Sequence, residues 1–335
     1  MTMNNAKKTT LEDVAAALGV SKTTVSRAIS GKGRIGEATR TRILEYIDQN
    51  NFRPNVVAKS LAESRTFSIA VVWPGDYSLV DLSFFQKCLV GMSEVTSGHG
   101  YDIIVSVVSG DDMSSLKRII ENRKVDGVVL TRTLIYDKPA EYLLKSGVPF
   151  VAIGESPNER IITVDNDHFD ACKELTSIMI GKGHTKLALL GGSRNLVITK
   201  KRYEGFAAAF AQTGKKLDES LVFLDQGNEQ KMTEIVKRLA AEKVDGVICM
   251  DDMLAAYVIR ICRTANIKIP EDLRLASFYN STTLENSVVP VTSLNFDDRN
   301  LGAVATRMLL RLIDGENVEN QKLKTYEVIM KESTK

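Results

Sequence analysis

Lys22, Thr23, Ser26 and Arg27 lie close together and, at helical spacing, share one face of a short segment that carries no apolar bulk there. These side-chain types can read a DNA major groove. Arg can bond a guanine edge in a bidentate manner, and Lys and Thr can reach other groove groups. A merely solvated polar face has the same composition, so the surrounding segment must decide. Other chemistry is thinly represented. Cys88, Cys172, Cys249 and Cys262 form no C-x-x-C pair, and His99, His168 and His184 complete no zinc spacing. Buried thiols fit them better than a metal site. Gly191-Gly192 belongs to no G-x-G-x-x-G, and neither a P-loop nor a nucleophile elbow is formed. No metal, cofactor or catalysis is expected.

The elements around the polar face have the form of a helix-turn-helix. Thr10-Leu11-Glu12-Asp13 opens a helix with a hydroxyl cap and a carboxylate three residues on. Leu11, Val14, Ala15 and Leu18 share its inner face, and Gly19 ends it. Ser21 caps a second helix with Val25 and Ile29 inward, after a turn of only about three residues. A third helix is expected from about Glu37 to Asn50, with Ile43, Leu44 and Ile47 on its apolar side. The tight turn and small inward residues favour the DNA-reading interpretation. Thr10, Ser21 and Thr24 flank the polar face and are counted with it as DNA contacts.

Charge supports the same division. Residues 1–65 carry five Lys and six Arg against six Asp and Glu, a net +5 that leaves −3 for the remainder. A basic head on a mildly acidic body suggests that the head meets a polyanion. A solvated basic tail is the alternative. At 335 residues two or three domains are expected, and 44% hydrophobic with 26% charged residues is ordinary for a globular protein. Met1 to Thr10 is polar without an apolar run, and no stretch approaches the roughly 20 apolar residues needed to span a bilayer. A cytoplasmic protein without membrane contact is expected.

From Phe67 onward, apolar runs of strand type alternate with helical patterns. Ser68–Trp73, Asp102–Val108 and Val125–Leu130 read as strands, and Phe84–Ser97 and Ser114–Asn122 as helices. This rhythm argues for a parallel sheet with helices on both faces. It then repeats: KVDGVVL begins at Lys124 and KVDGVIC at Lys243, each after an amphipathic helix. The fold expected is an all-α helix-turn-helix head plus an α/β body of two doubly wound parallel-sheet lobes. A ligand would sit between the lobes, at the carboxyl ends of the strands.

The run from Thr10 to Thr66 closely resembles the DNA-binding head of the lactose-repressor/galactose-repressor (LacI/GalR) family, through DVA…GVS-x-x-TVSR, TR-x-x-I, F-R-P-N and A-x-x-L. Gly36 stands where the family usually has Ser, and it remains an acceptable cap. GHTKLALLGG, RYEGF, DDMLAAYVI, PVTSL and YEVIMKEST follow in family order, and the family's body is similar to a periplasmic sugar-binding protein. The resemblance implies a head at 1–54, a hinge helix and linker at 55–65 and a body at 66–335. Within the body it implies an N-lobe of about 66–165 and 296–323 and a C-lobe of about 166–295 and 324–335, with crossovers near 164–167, 293–297 and 322–325. It implies hinge contacts to DNA from Asn55 and Ala58, with Leu61 as a minor-groove wedge. Packing of Leu61 against the third helix is its other reading.

For the cleft, the resemblance puts Arg202 at the effector-binding Arg and Asp251 at a polar effector contact, where Asp251 could equally cap a helix. Ser277-Phe278-Tyr279-Asn280 departs from the family's G-[FY]-D-D, so Tyr279 replaces a carboxylate that commonly bonds effector hydroxyls. Either Asp251 takes over that role, with Asn280 beside it, or the ligand is not an ordinary hexose; the first is the expectation carried forward. The stacking aromatic usual near position 227 is missing, and Trp73 or Phe84 could supply it or could simply pack inside.

The function expected is a homodimeric repressor of a near-palindromic double-stranded DNA operator, controlled by a sugar-like effector. The chain ends without a leucine-heptad tail, which favours a dimer over a tetramer. Co-repression by a nucleoside, nucleobase or sugar phosphate is the second reading, and an enzyme body fused to the head is a remote third. A periplasmic binding protein fits the body but lacks this head.

Overall fold

The computed structural model describes residues 10–30, 33–50, 60, 63–76, 83–225 and 229–335. It divides into two compact units, Met1–Arg65 and Thr66–Lys335.

In the first unit, α1 (Leu11–Leu18) opens with a complete capping box. Thr10 Oγ1 accepts from the Asp13 N–H at 3.2 Å, and the Asp13 carboxylate accepts from the Thr10 N–H at 2.8 Å. Gly19 closes the helix at φ 64°, a left-handed conformation that a side chain would strain. Ser21 Oγ accepts from the Thr24 N–H at 3.1 Å and so caps α2 (Lys22–Ser30). α3 (Glu37–Gln49) starts after Gly36 without a side-chain cap. Val14, Ala15, Val25, Ala28 and Ile43 are the buried centre of the three helices. Arg42 Nη2 donates to the Leu18 carbonyl at 2.8 Å and ties α3 to the end of α1.

The second unit holds two six-stranded sheets. β1 (Ser68–Pro74), α4 (Ser83–His99), β2 (Asp102–Val108), α5 (Ser114–Glu121), β3 (Gly127–Leu130), α6 (Lys138–Ser146), β4 (Phe150–Ile153) and β5 (Thr163–Asn166) build the first. The second follows as α7 (His168–Gly181), β6 (Leu187–Leu190), α8 (Val197–Gln212), β7 (Val222–Phe223), α9 (Glu229–Ala241), β8 (Gly246–Cys249), α10 (Asp252–Thr264), β9 (Arg274–Ser277), α11 (Thr282–Glu285) and β10 (Thr292–Phe296). The chain then returns to the first lobe with α12 (Asp298–Ile313) and β11 (Gln321–Leu323) and ends in the second with β12 (Tyr326–Ile329).

The strand orders are β11-β5-β4-β3-β1-β2 and β12-β10-β9-β8-β6-β7. All pairings are parallel except β10 with β12. The lobes are therefore joined three times, between Asn166 and His168, between Phe296 and Asp298, and between Leu323 and Tyr326. Helices cover both faces, which is why GVVL, FVAI, LALL and GVIC are buried along their whole length.

The KVDG repeat has a structural cause. Asp126 accepts from the N–H groups of Thr66 and Phe67 at 2.7 and 2.9 Å, and Asp245 accepts from those of Thr185 and Lys186, both at 2.7 Å. Each Asp pins the start of the neighbouring strand in its own lobe. The first lobe is further locked where α4 crosses α12. A Cβ on Gly302 would lie 2.1 Å from the Cys88 carbonyl oxygen, so the two backbones touch there.

Candidate functional site

On the head, the inner side of α2 is spent on the core through Val25 and Ala28. Its outer side leaves Ser21, Lys22, Thr23, Ser26 and Arg27 exposed. Thr24 is half-buried, with its hydroxyl 2.8 Å from that of Ser21. Thr10 is exposed, but its hydroxyl serves the α1 cap. Lys22 Nζ forms an ion pair with Glu12 at 2.5 Å, and both side chains are largely exposed. A phosphate or base could compete for that ammonium, since exposed pairs contribute little. The result is one helix face of donors standing on a packed three-helix base. Asn55, Ala58 and Leu61 lie outside the described residues.

In the body, a cleft of about 1150 Å³ separates the lobes. It opens at the carboxyl ends of the strands, where the turns after β3, β6 and β8 meet. Four of the residues expected there come together on its wall: Phe84 from α4, Arg202 from α8, Asp251 at the start of α10 and Tyr279 just past β9. The described lining residues include seven carboxylates and three Lys and Arg, and Asp76, Asp111, Asp225 and Glu229 are ion-paired with Arg132, Lys138, Arg194 and Arg260.

Arg202 is only 7% exposed. One Nη donates to the Met250 carbonyl at the end of β8, while Nε has no partner. A buried guanidinium donor without an acceptor is costly, and a ligand oxygen would relieve it. Asp251 is not simply free to receive a hydroxyl. Its Oδ1 accepts from the Leu254 N–H at 2.8 Å and caps α10, and burial raises its pKa while that cap and the Arg202 charge pull it down.

Tyr279 turns its hydroxyl away from any such role, donating to Asp298 Oδ2 at 2.5 Å. The Phe84 ring meets Tyr279 edge-on at 6.2 Å and Lys87 Nζ lies 5.5 Å from the ring centre. Burial, then the Asp298 charge, push the phenol pKa well up, so it stays protonated.

Two expected residues are not on the cleft wall. Trp73, at the end of β1, packs against Phe85 at 6.5 Å and borders a separate void of about 30 Å³. Asn280 is buried, and both ends of its amide are engaged elsewhere. Nδ2 donates to Glu285 at 2.8 Å and Oδ1 accepts from Ser293 at 3.1 Å, which fastens α11 to β10.

Two wall features were missed by sequence reasoning. His168 lines the cleft with Nε2 3.5 Å from Asp165 and Nδ1 without a partner. The turns Thr133–Ile135 and Asn195–Val197 form an antiparallel bridge across the cleft, through Ile135 N–H to Asn195 O at 2.8 Å and Val197 N–H to Thr133 O at 3.3 Å. His168 follows a strand pattern closely enough to have been noticed, whereas the bridge is made of main chain and leaves no residue-type signal.

A helix-turn-helix unit joined to a two-lobed, cleft-bearing α/β body defines a ligand-responsive DNA-binding protein. Residues 10–55 match the profile of bacterial regulatory proteins, lacI family, and residues 176–334 match a periplasmic binding protein-like domain. The HTH-type transcriptional regulator CelR of Thermobifida fusca is 30% identical over 331 residues, covering 96% of each chain. Catabolite control protein A of Staphylococcus epidermidis is 29% identical over 315 residues, covering 93% of this chain and 94% of that one. A solved CelR–cellobiose complex superposes with a TM-score of 0.72 at 27% identity, over 97% of this chain and 99% of that one. The lac repressor dimer bound to operator and an anti-inducer shares the fold, with a TM-score of 0.76 at 20% identity, over 98% of this chain and 99% of that one. The chain belongs to the LacI family of bacterial transcription regulators. It is a DNA-binding transcription regulator with a two-lobed, effector-type body, and the relatives it matches are regulators rather than enzymes. Among the described residues, no helix is long and apolar enough to cross a membrane.

Proposed function

We propose that the chain represses transcription as a cytoplasmic homodimer on a near-palindromic operator, and that a neutral sugar in the cleft sets its affinity for that operator. The domain division that goes with this reading is a head to residue 54, a hinge over 55–65 and a sensing body from 66. The outer face of α2, led by Arg27, Lys22 and Thr23, reads the major groove. Exposed Val90 on α4 and Val105 and Val107 on the edge strand β2 give the first lobe an apolar surface suited to pairing with a second copy.

The observation that carries the effector class is the buried Arg202, with an unpartnered Nε, on a cleft wall it shares with the carboxylates of Asp251 and Asp252. Arg offers only donors, so it needs a ligand oxygen, and the surrounding carboxylates accept from ligand hydroxyls. Asp251 and Asp252 on the same wall disfavour a phosphate there. A polyhydroxylated, uncharged ligand satisfies both conditions, whereas a sugar phosphate does not. The cellobiose carried by the CelR structure belongs to this class.

The test is a thermal-shift screen of the full chain against cellobiose, maltose, glucose 6-phosphate and adenosine. At about 100 times its dissociation constant a ligand adds roughly 2.7 kcal/mol of stability. A neutral sugar is expected to raise the melting temperature of the body. A shift from glucose 6-phosphate or adenosine alone would overturn the effector class.

A further inference from the structure

Tyr279 belongs to the second lobe, two residues beyond the end of β9, where its backbone bonds Ser277, yet its hydroxyl and part of its ring reach the first. Its hydroxyl donates to Asp298, the first residue of α12, which packs on the first sheet. Its ring meets Phe84 and Lys87, both on α4. Asp298 is 2% exposed, its Oδ2 lies 3.7 Å from Lys87 Nζ, and its Oδ1 has no partner. The contact stands beside the Phe296–Asp298 crossover, and Tyr279 also lines the cleft. One side chain thus touches the ligand space and holds the lobes together.

Other bonds also span the lobes: on the surface Lys201 Nζ pairs with Glu155 at 3.0 Å, and the Tyr136 N–H donates to Asn195 Oδ1 at 3.2 Å beside the Leu134–Leu196 bridge. The Leu134–Leu196 bridge is main chain to main chain and would form with almost any side chains there. In each sheet it stands away from the edge strands β11 and β12 that carry the last crossover. The Tyr279 contact depends on one hydroxyl and one carboxylate, and unlike the partly exposed Lys201–Glu155 pair it is buried and lines the cleft, which makes it the side-chain tie that a ligand can reach.

We propose that the Tyr279–Asp298 bond is the adjustable tie between the lobes, with Asp298 a positioning residue that acts through Tyr279. A ligand pressing on the Tyr279 ring then biases the lobe arrangement directly, because it bears on the residue that makes the tie. This rests on the reading that the effector occupies the cleft. Loss of a hydrogen bond to a charged acceptor moves a two-state population by about tenfold or more.

The experiment measures the distance between the lobes in the full chain without any sugar. Spin labels are placed at Lys145→Cys on α6 and Lys237→Cys on α9, both exposed positions on opposite lobes. The four native cysteines are buried. Labelled subunits are diluted into excess unlabelled protein so that distances between subunits do not contribute. Tyr279→Phe, which keeps the ring, and Asp298→Ala are expected to broaden or displace the parent distance distribution in the same way. Tyr326→Phe is the control, since its hydroxyl bonds Glu174 at 2.6 Å within the second lobe, and it should match the parent. A Tyr279→Phe distribution superimposed on the parent, with an unchanged circular dichroism spectrum, would overturn the proposal. So would an equal displacement in Tyr326→Phe. Because no sugar is present, a failed ligand screen and a failed tie give separate results.

Discussion

Asp251 has two possible duties, and two substitutions separate them. As the cap of α10 it accepts from the Leu254 N–H at 2.8 Å, with extended backbone at φ −145° and ψ 171°. As a cleft residue it stands on the wall with Arg202. Removing a cap costs about 0.5–2 kcal/mol. At about 2–4 °C per kcal/mol for a domain approaching this size, Asp251→Ala should lower the melting temperature of the body by roughly 1–8 °C. Asp251→Asn keeps a capping oxygen and should stay near the parent. Binding behaves differently. A ligand hydroxyl left without its charged acceptor costs about 1–3 kcal/mol, or roughly five- to 150-fold in affinity. Both variants should show that loss in calorimetric titration with the sugar returned by the screen, so Asn separates binding from stability. If Asp251→Asn binds that sugar as tightly as the parent and Asp251→Ala loses only melting temperature, Asp251 is a cap and nothing more.

Further outcomes follow from the same contacts. Arg202→Leu should abolish the sugar response while binding to a DNA site selected by the full chain persists, as followed by fluorescence anisotropy. Arg27→Ala should weaken binding to that site by about 1–3 kcal/mol and relax base preference at one position, read by competition with single-base variants. Gly302→Ala places a Cβ 2.1 Å from the Cys88 carbonyl oxygen and should lower the body's melting transition by about 1–3 kcal/mol, measured by calorimetry. Asp298 is held above the usual carboxylate range, first by burial and against the pull of Tyr279, Lys87, His168 and Arg202. A raised folded-state pKa gives stability that is full below the unfolded value, near pH 4, and is lost as pH rises through the folded value. Melting curves of the parent and Asp298→Asn should therefore shift in favour of Asn as pH rises from about 4 towards neutrality.

What could be read in the sequence was what a local rule governs. Thr10, Gly19 and Ser21 mark helix ends because orphan backbone groups at those ends need partners. The runs SIAVVW and GVIC mark strands buried on both faces, and the KVDG repeat marks two lobes because each Asp closes the same local contact. The cleft was less legible because its wall is assembled from residues far apart in the chain. Arg202 and Asp251 were placed there through family resemblance. Trp73 was not separable from a wall residue, because one position along a strand decides which face it meets. Asn280 has the right residue type, but Glu285 and Ser293 engage both ends of its amide. Asp298 reads as one more acid at a helix start, and only the chain's return to the first lobe brings it under Tyr279.

The central claim is that sugar in the cleft changes DNA affinity at the head. It is tested most directly by selecting a duplex from a random pool with the full chain and then titrating it by anisotropy with and without the stabilising sugar. The selected site is expected to be near-palindromic, and the sugar should change its dissociation constant by at least about fivefold, equivalent to a coupling of about 1 kcal/mol. A dissociation constant unmoved by a sugar that stabilises the body would contradict the account.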